Sequence, residues 1–341
     1  MTGALTKVTI PPCPIPAATV IGARTYLVDR IVPECEIMTL PARGHGGGTL
    51  KYGLAPLESL PQPAPSGRLK RLKPRGHLAL KDEAVFDLRR NAPENWAHFL
   101  TNHLPIVFHL SAELGLSTDA VHLVTPTTTP GYIGGAAAFF GFRHTATDAQ
   151  LSGAGVAYDL DPWTTVRASR ADWVAAPAAR DAFTRGRTMH PSGAALPRRA
   201  YLSRKSARSL ENEDEICALL GKRGFERIFA ETLSVADQIG LFQEAEAIVA
   251  IHGAALGPLL WRQPESPLAQ VVELMPCGHM TDYYRGMCAQ LGVGWIGVRG
   301  RLKPEYVAPA YDFGKRFKAF SQDDFTVDPA SLTHALDLAG L

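Results

Sequence analysis

Ala247-Ile-Val-Ala-Ile251 runs straight into His252-Gly-Ala-Ala-Leu256, and the fold class follows from this junction. Five consecutive apolar residues suit a strand buried on both faces. The small residues after His252 permit a tight turn and an immediate helix start. Outward from this point the same alternation repeats. Residues 200–204, 226–230, 271–275 and 293–298 read as further strands, and 211–223, 234–244, 254–261 and 282–291 as helices. Asn212 and Glu215 stand at capping-box spacing, with Gly224 closing that helix. Ser234 can cap the next one, whose buried stripe is Val235, Ile239 and Phe242. Solid apolar strands alternating with helices predict a parallel, doubly wound α/β sheet.

The first half is less regular. Residues 25–29 and 84–88 are short runs of strand length, separated by the glycine-rich 44–48 and the loop-forming 61–66. A helix begins at Glu94, 121–124 reads as a strand, 134–142 as a helix, and 143–198 carries no clear pattern. With 341 residues the chain exceeds one ordinary core and suits two α/β domains. The expected division is 1–190, 191–300, and a segment 301–341 that packs back across the domains. Apolar residues make up 46%, charged residues 20%, and the net charge is +2. That balance argues against disorder and against wholesale nucleic-acid binding. One basic cluster, Arg68, Lys70, Arg71, Lys73 and Arg75, reads as a solvated loop or as a contact for an anionic acceptor or lipid surface. Five cysteines without a C-x-x-C pair suggest neither a disulfide framework nor a zinc site. No signal peptide or membrane span is evident, so a cytoplasmic enzyme, with peripheral membrane association as an option, is expected.

Four stretches carry candidate chemistry. A strand ending at His252, followed by Gly253, Ala254 and Ala255 at a helix start, presents unpaired backbone N–H groups to an anion. In an open α/β sheet this is also the carboxyl edge, where ligands bind. Tyr201-Leu-Ser203-Arg204-Lys205 brings a hydroxyl, a guanidinium and an ammonium to the same edge, which together with His252 makes a pyrophosphate cradle. Such a cradle would stabilise a departing nucleoside diphosphate by charge. Glu273 near another strand end suits ribose hydroxyls, or is a strand-edge charge. The helix from Glu94 carries Asn95, His98, Asn102 and His109 on one polar stripe, and Pro105 is expected to kink it or end it early. His98, with an ordinary value near ~6.5, is suited to take a proton from a sugar hydroxyl. Asn95 can orient its ring, and Glu94 is the second choice of base. Asp159-Leu-Asp161 is the competing reading, a D-x-D pair that could hold a divalent cation on a diphosphate. Neither G-x-G-x-x-G after a strand nor G-x-x-x-x-G-K-[ST] occurs.

Taken together these residues resemble glycosyltransferase family 61, whose members mostly modify capsules, cell walls and glycoproteins. Asn95-Trp-Ala-His98-Phe-Leu with Leu104-Pro105 is similar to its first signature, and Tyr201-Leu-Ser-Arg204 with Asn212-Glu213 to its second. The 233–238 helix start with Ala247–Leu256 is similar to the third, and Glu273-Leu-Met-Pro276 to a fourth. Ala255 stands where Gly is usual, and Phe99 where Trp is usual. The resemblance implies a GT-B fold, two Rossmann-like domains facing a cleft, with the donor on the second half and the acceptor on the first. It further implies an inverting transfer, without a metal or other cofactor, from a nucleotide sugar, preferably a uridine one. The hydroxyl acceptor would be a glycan, such as a bacterial capsular, exopolysaccharide or lipopolysaccharide chain. The rival expectations are a nucleotide-sugar-binding protein without turnover and another Rossmann enzyme, such as a dehydrogenase.

Overall fold

The computed structural model describes residues 5–25, 28–63, 76–163, 165–205, 207–303 and 322–341. The basic cluster at 68–75 lies outside them, as do parts of the expected 25–29 strand and of 301–341. The chain forms two compact units: Met1–Cys13 with His45–Gly193, and Pro14–Gly44 with Ala194–Leu341. Residues 14–44, which the sequence groups with the first half, thus belong to the second unit.

The second unit is built on an eight-stranded sheet. Its spatial order is Glu226–Phe229, Arg199–Ser203, Ala247–Ile251, Gln270–Met275, Gly294–Arg299, Ala18–Ala23, Cys35–Leu40 and Arg30–Val32. The first six strands are parallel, and the last two are added antiparallel. Ala247–Ile251 is buried along its whole length, as its unbroken apolar run requires. The chain passes from Arg199–Ser203 outward to Glu226–Phe229 and then back across to Ala247–Ile251. The direction of winding therefore reverses between Arg199–Ser203 and Ala247–Ile251, and open α/β sheets bind ligands at the carboxyl ends of such a reversal.

The helices of this unit form where the sequence places them, with local differences. Ser234 caps Val235–Glu244, its hydroxyl accepting from the Asp237 N–H at 3.1 Å. Asn212 makes no such cap on Glu213–Lys222. Its amide instead donates to Glu215 at 2.9 Å and to the Val327 carbonyl at 2.8 Å, and accepts from the Val327 N–H. The segment after His252 is a 3-10 helix, Ala254–Trp261, with Pro258 inside it. Helix Pro329–Leu338 belongs to the second unit itself: Leu332, Ala335 and Leu336 pack in one core with Ile21, Ile37, Val249, Ile251 and Leu274. Buried Arg285 fastens residues 14–44 by donating to the carbonyls of Pro16 and Pro41, the latter at 2.7 Å.

The first unit holds a six-stranded mixed sheet in the order Thr6–Ile10, Gly48–Pro56, Gln150–Asp161, His77–Asp87, Val121–Thr125, Arg143–Ala146. Its last four strands are parallel, and the first two are antiparallel additions. Each unit therefore has a parallel α/β core with an antiparallel extension on one edge. After His77–Asp87 comes the helical segment that the sequence starts at Glu94. It is one α turn, Trp96–His98, a π turn, Phe99–His103, and an α-helix, Leu104–Glu113. Pro105 follows the π turn within one continuous helical run, so the bond its missing N–H cannot make falls where the helix is already irregular. No helix among the described residues is long and apolar enough to cross a membrane.

Candidate functional site

In the second unit the carboxyl ends on either side of the winding reversal carry Arg204 and His252. Arg204 lies just past Arg199–Ser203, and His252 just past Ala247–Ile251. The Arg204 guanidinium donates to the His252 carbonyl at 3.3 Å, and so does that of Arg208, also at 3.3 Å. Arg208 was not anticipated, and it occupies the left-handed region with φ 67°. Two half-buried guanidiniums thus converge on one carbonyl oxygen. Burial lowers the pKa of both, and the Arg204 charge lowers that of Arg208 further. Like charges brought together in this way call for an anion, and a planar fork of N–H donors suits phosphate oxygens.

Gly253 gives the Arg204 side chain its room here. A Cβ on it would lie 1.8 Å from an Arg204 guanidinium nitrogen, and its φ of 162° is extended backbone open to any residue. The missing side chain leaves the channel in which Arg204 lies. The buried Tyr284 hydroxyl donates to the Gly253 carbonyl at 2.6 Å and holds the turn from the other side. Ala254 and Ala255 follow as half-buried residues opening the 3-10 helix.

His252 is 5% exposed, and Glu273 beside it is 0% exposed. The His252 Nδ1–H donates to Glu273 Oε1 at 2.5 Å, and the Trp295 indole N–H donates to Oε2 at 2.7 Å. Both carboxylate oxygens are engaged inside the protein, so Glu273 does not have the solvent-open position a ribose contact needs. It orients the His252 ring and leaves Nε2 for another partner, as a carboxylate behind a functional histidine does. His279 and Tyr284 stand edge-on to this ring, with centroids 5.1 and 5.5 Å away. Burial beside His252 and Arg208 pushes His279 down to about 4.

Two other expected contacts have different partners. The fully buried Ser203 hydroxyl bonds to Glu213. Lys205 sets its ammonium 4.7 Å from the centre of the Phe229 ring, and its backbone N–H donates to Glu231. The candidate anion site of this unit is therefore Arg204, Arg208, the Gly253 turn and the His252–Glu273 pair. Only Arg208 lacked a sequence signal, because it follows the strand end inside an irregular loop.

In the first unit Asn95 caps the Trp96–His98 turn, its side-chain oxygen accepting from the His98 N–H at 3.2 Å. This contact is to the His98 backbone, not to the imidazole ring. His98 is half-buried, and desolvation lowers its pKa against the opposing pull of Glu94. Glu94 is exposed, and its carbonyl accepts from the Tyr132 hydroxyl at 3.3 Å. The π turn disrupts the polar stripe read from α-helical spacing. Asn102 is buried and accepts from Ser169 at 3.0 Å, while His109 stacks on Trp173 with centroids 4.5 Å apart. Buried His103 donates through Nε2–H to the Asn91 carbonyl at 3.2 Å and has its pKa lowered to about 4 by burial. That bond supports two successive left-handed residues, Asn91 at φ 60° and Ala92 at φ 54°, just before the helix.

Asp159 and Asp161 are both exposed and alternate along one face of Gln150–Asp161, opposite Lys51 and Thr49. Among the described residues no group of three or more His, Cys, Asp or Glu gathers as a metal site. The family model for Glycosyltransferase 61 matches residues 96–269, a span that contains His98, Arg204, Arg208 and His252. No curated protein matches the chain.

Proposed function

The chain belongs to glycosyltransferase family 61, and from that premise we propose an inverting transfer from a nucleotide sugar, preferably a UDP-sugar, to a glycan hydroxyl. The observation that carries this reading is the convergence of Arg204 and Arg208 on the His252 carbonyl at the winding reversal of the second unit. The diphosphate lies against this pair, and His252 Nε2, with its ring fixed by Glu273, bonds to a phosphate oxygen. As the glycosidic bond to the donor breaks, negative charge grows on the leaving diphosphate. Two guanidiniums already in place stabilise that charge without reorganising.

Inversion requires the acceptor hydroxyl to attack from the face opposite the diphosphate and to lose its proton as it does so. His98 is the base in this proposal. Burial favours its neutral form, the one able to accept a proton. In this proposal the fold is of the GT-B type, with the first unit presenting the acceptor and the second holding the donor. The enzyme works in the cytoplasm on an anionic or membrane-linked glycan, such as a capsular or lipopolysaccharide chain.

Release of free UDP, followed with a panel of UDP-sugars and a glycan acceptor, tests the reading. Turnover is expected to survive EDTA, because the arginine pair supplies the positive charge. Strict dependence on added manganese or magnesium would reject the metal-free mechanism and return Asp159 and Asp161 to consideration.

A further inference from the structure

A cavity of about 400 Å3 lies in the first unit, and Asp87, Arg90, Asn91, Tyr158, Asp159 and Trp163 are among its lining residues. Its volume is that of a small-molecule site. The charges around it nearly cancel. Asp87 is already neutralised by Arg89 through two bonds of 2.8 Å, which leaves the Asp159 carboxylate against the Arg90 guanidinium. Arg90 donates to the Pro61 carbonyl at 2.7 Å, so its fork is held beside the cavity. A ligand of either strong charge would meet a repelling partner, whereas a neutral molecule rich in hydroxyls would not.

The remaining chemistry narrows the class. Trp163 offers a large apolar ring with one donor, suited to the C–H face of a flat molecule. Asp159 accepts hydrogen bonds, Arg90 donates them, and Asn91 does both. An aromatic ring beside planar polar groups matches a pyranose, whose axial C–H bonds lie on its faces and whose hydroxyls lie around its rim. The Asn91 wall is also fixed. It takes a left-handed conformation and is buttressed by His103, whose ring stands 6.3 Å from that of Trp163. Backbone strain held in place by a buried partner is typical of ligand-binding walls.

We propose that this cavity is a subsite for a neutral pyranose unit of the acceptor glycan, with Trp163 as the stacking platform and Asp159, Asn91 and Arg90 fixing its hydroxyls. The assignment to the acceptor rests on the transferase reading above, while the binding of a neutral sugar does not. Saturation-transfer NMR on the full chain tests it with the methyl glycosides of glucose, galactose, mannose and xylose, and with methyl glucuronide as the anionic control. At least one neutral glycoside is expected to receive transfer at its ring protons, and glucuronide less. The signal is expected to be lost in Trp163→Ala and in Asp159→Asn, the latter an exposed position whose change leaves the fold intact. It should persist in Arg204→Ala. Absence of transfer to all four neutral glycosides, an undiminished signal in folded Asp159→Asn, or a preference for glucuronide would overturn the proposal. UDP titrated in parallel separates the two readings. Loss of UDP binding in Trp163→Ala with an unchanged melting temperature would make the cavity a nucleoside site and also overturn it. Failure of wild type to bind UDP, with a Trp163-dependent glycoside signal, would sink the donor reading alone.

Discussion

At the scale of single residues, the chemistry depends on what burial does to a few titratable groups. His98 has a lowered pKa because desolvation outweighs the nearby Glu94 charge. The proposed base is therefore in its neutral, proton-accepting form down to more acidic pH than an ordinary histidine. Turnover is expected to rise with pH as His98 deprotonates, with the half-rise below about 6.5. His98→Gln should remove that acidic limb and slow turnover by roughly 10²–10⁴-fold with donor affinity little changed. Persistence of the limb in a folded variant would place the base elsewhere, and Glu94 would be tested next. His103 behaves differently, because its lowered pKa affects folding. Its folded value of about 4 lies below the unfolded value near ~6.5, so the unfolded chain binds the extra proton between them. The stability associated with neutral His103 is full above about 6.5 and is lost as pH falls toward 4, by up to about 3 kcal/mol. Chemical denaturation at pH 7 and pH 5 is expected to show a smaller difference in His103→Gln than in wild type. His279, also near 4, titrates in the same window, so the comparison between the two proteins is what reports on His103. An equal loss in both would refute the assignment.

At the scale of elements, legibility tracked burial. The strands of the second half were readable to within a residue or two because they are solid apolar runs, and Ala247–Ile251 was readable to the residue. Segment 143–198 was not. It hides the longest strand of the first unit, Gln150–Asp161, whose glycines mimic a linker. Gly153 is there because the strand bulges against its neighbour: its φ is 132°, and a Cβ on it would lie 2.0 Å from the Leu80 carbonyl oxygen, whereas a Cβ on Gly155 would lie 2.8 Å from the Leu57 side chain. The π turn was equally hidden, since no local signal distinguishes it from α-helix, and it displaced Asn102 and His109 from the expected polar stripe. At the proposed donor edge the sequence indicated Arg204 and His252 as a pair. It could not show that Glu273 serves His252, or that Ser203 and Lys205 face other partners, because those outcomes depend on contacts across the sheet.

At the scale of the whole molecule, the last residues support the proposed donor site. The Arg208 N–H donates to the Gln322 carbonyl, Ser209 to Asp324, and Glu211 to the Phe325 carbonyl. Phe325 is 1% exposed in the core of the second unit. Phe325→Ala is expected to destabilise the protein by about 3–5 kcal/mol through the cavity it leaves. It should also weaken UDP binding by loosening the loop that holds Arg208. Urea denaturation together with a UDP titration checks both, and full UDP affinity in a destabilised variant would uncouple the tail from the site.

The most direct test is calorimetric titration of UDP into wild type, Arg204→Ala and Arg208→Ala. Each arginine makes a charge-assisted contact to the diphosphate in this mechanism, and removing one is expected to cost about 1.5–3 kcal/mol, roughly 10- to 150-fold in Kd. Arg208 is the sharper probe, since only the three-dimensional arrangement implicates it. A folded Arg208→Ala protein that binds UDP as tightly as wild type would contradict the placement of the diphosphate between Arg204, Arg208 and His252.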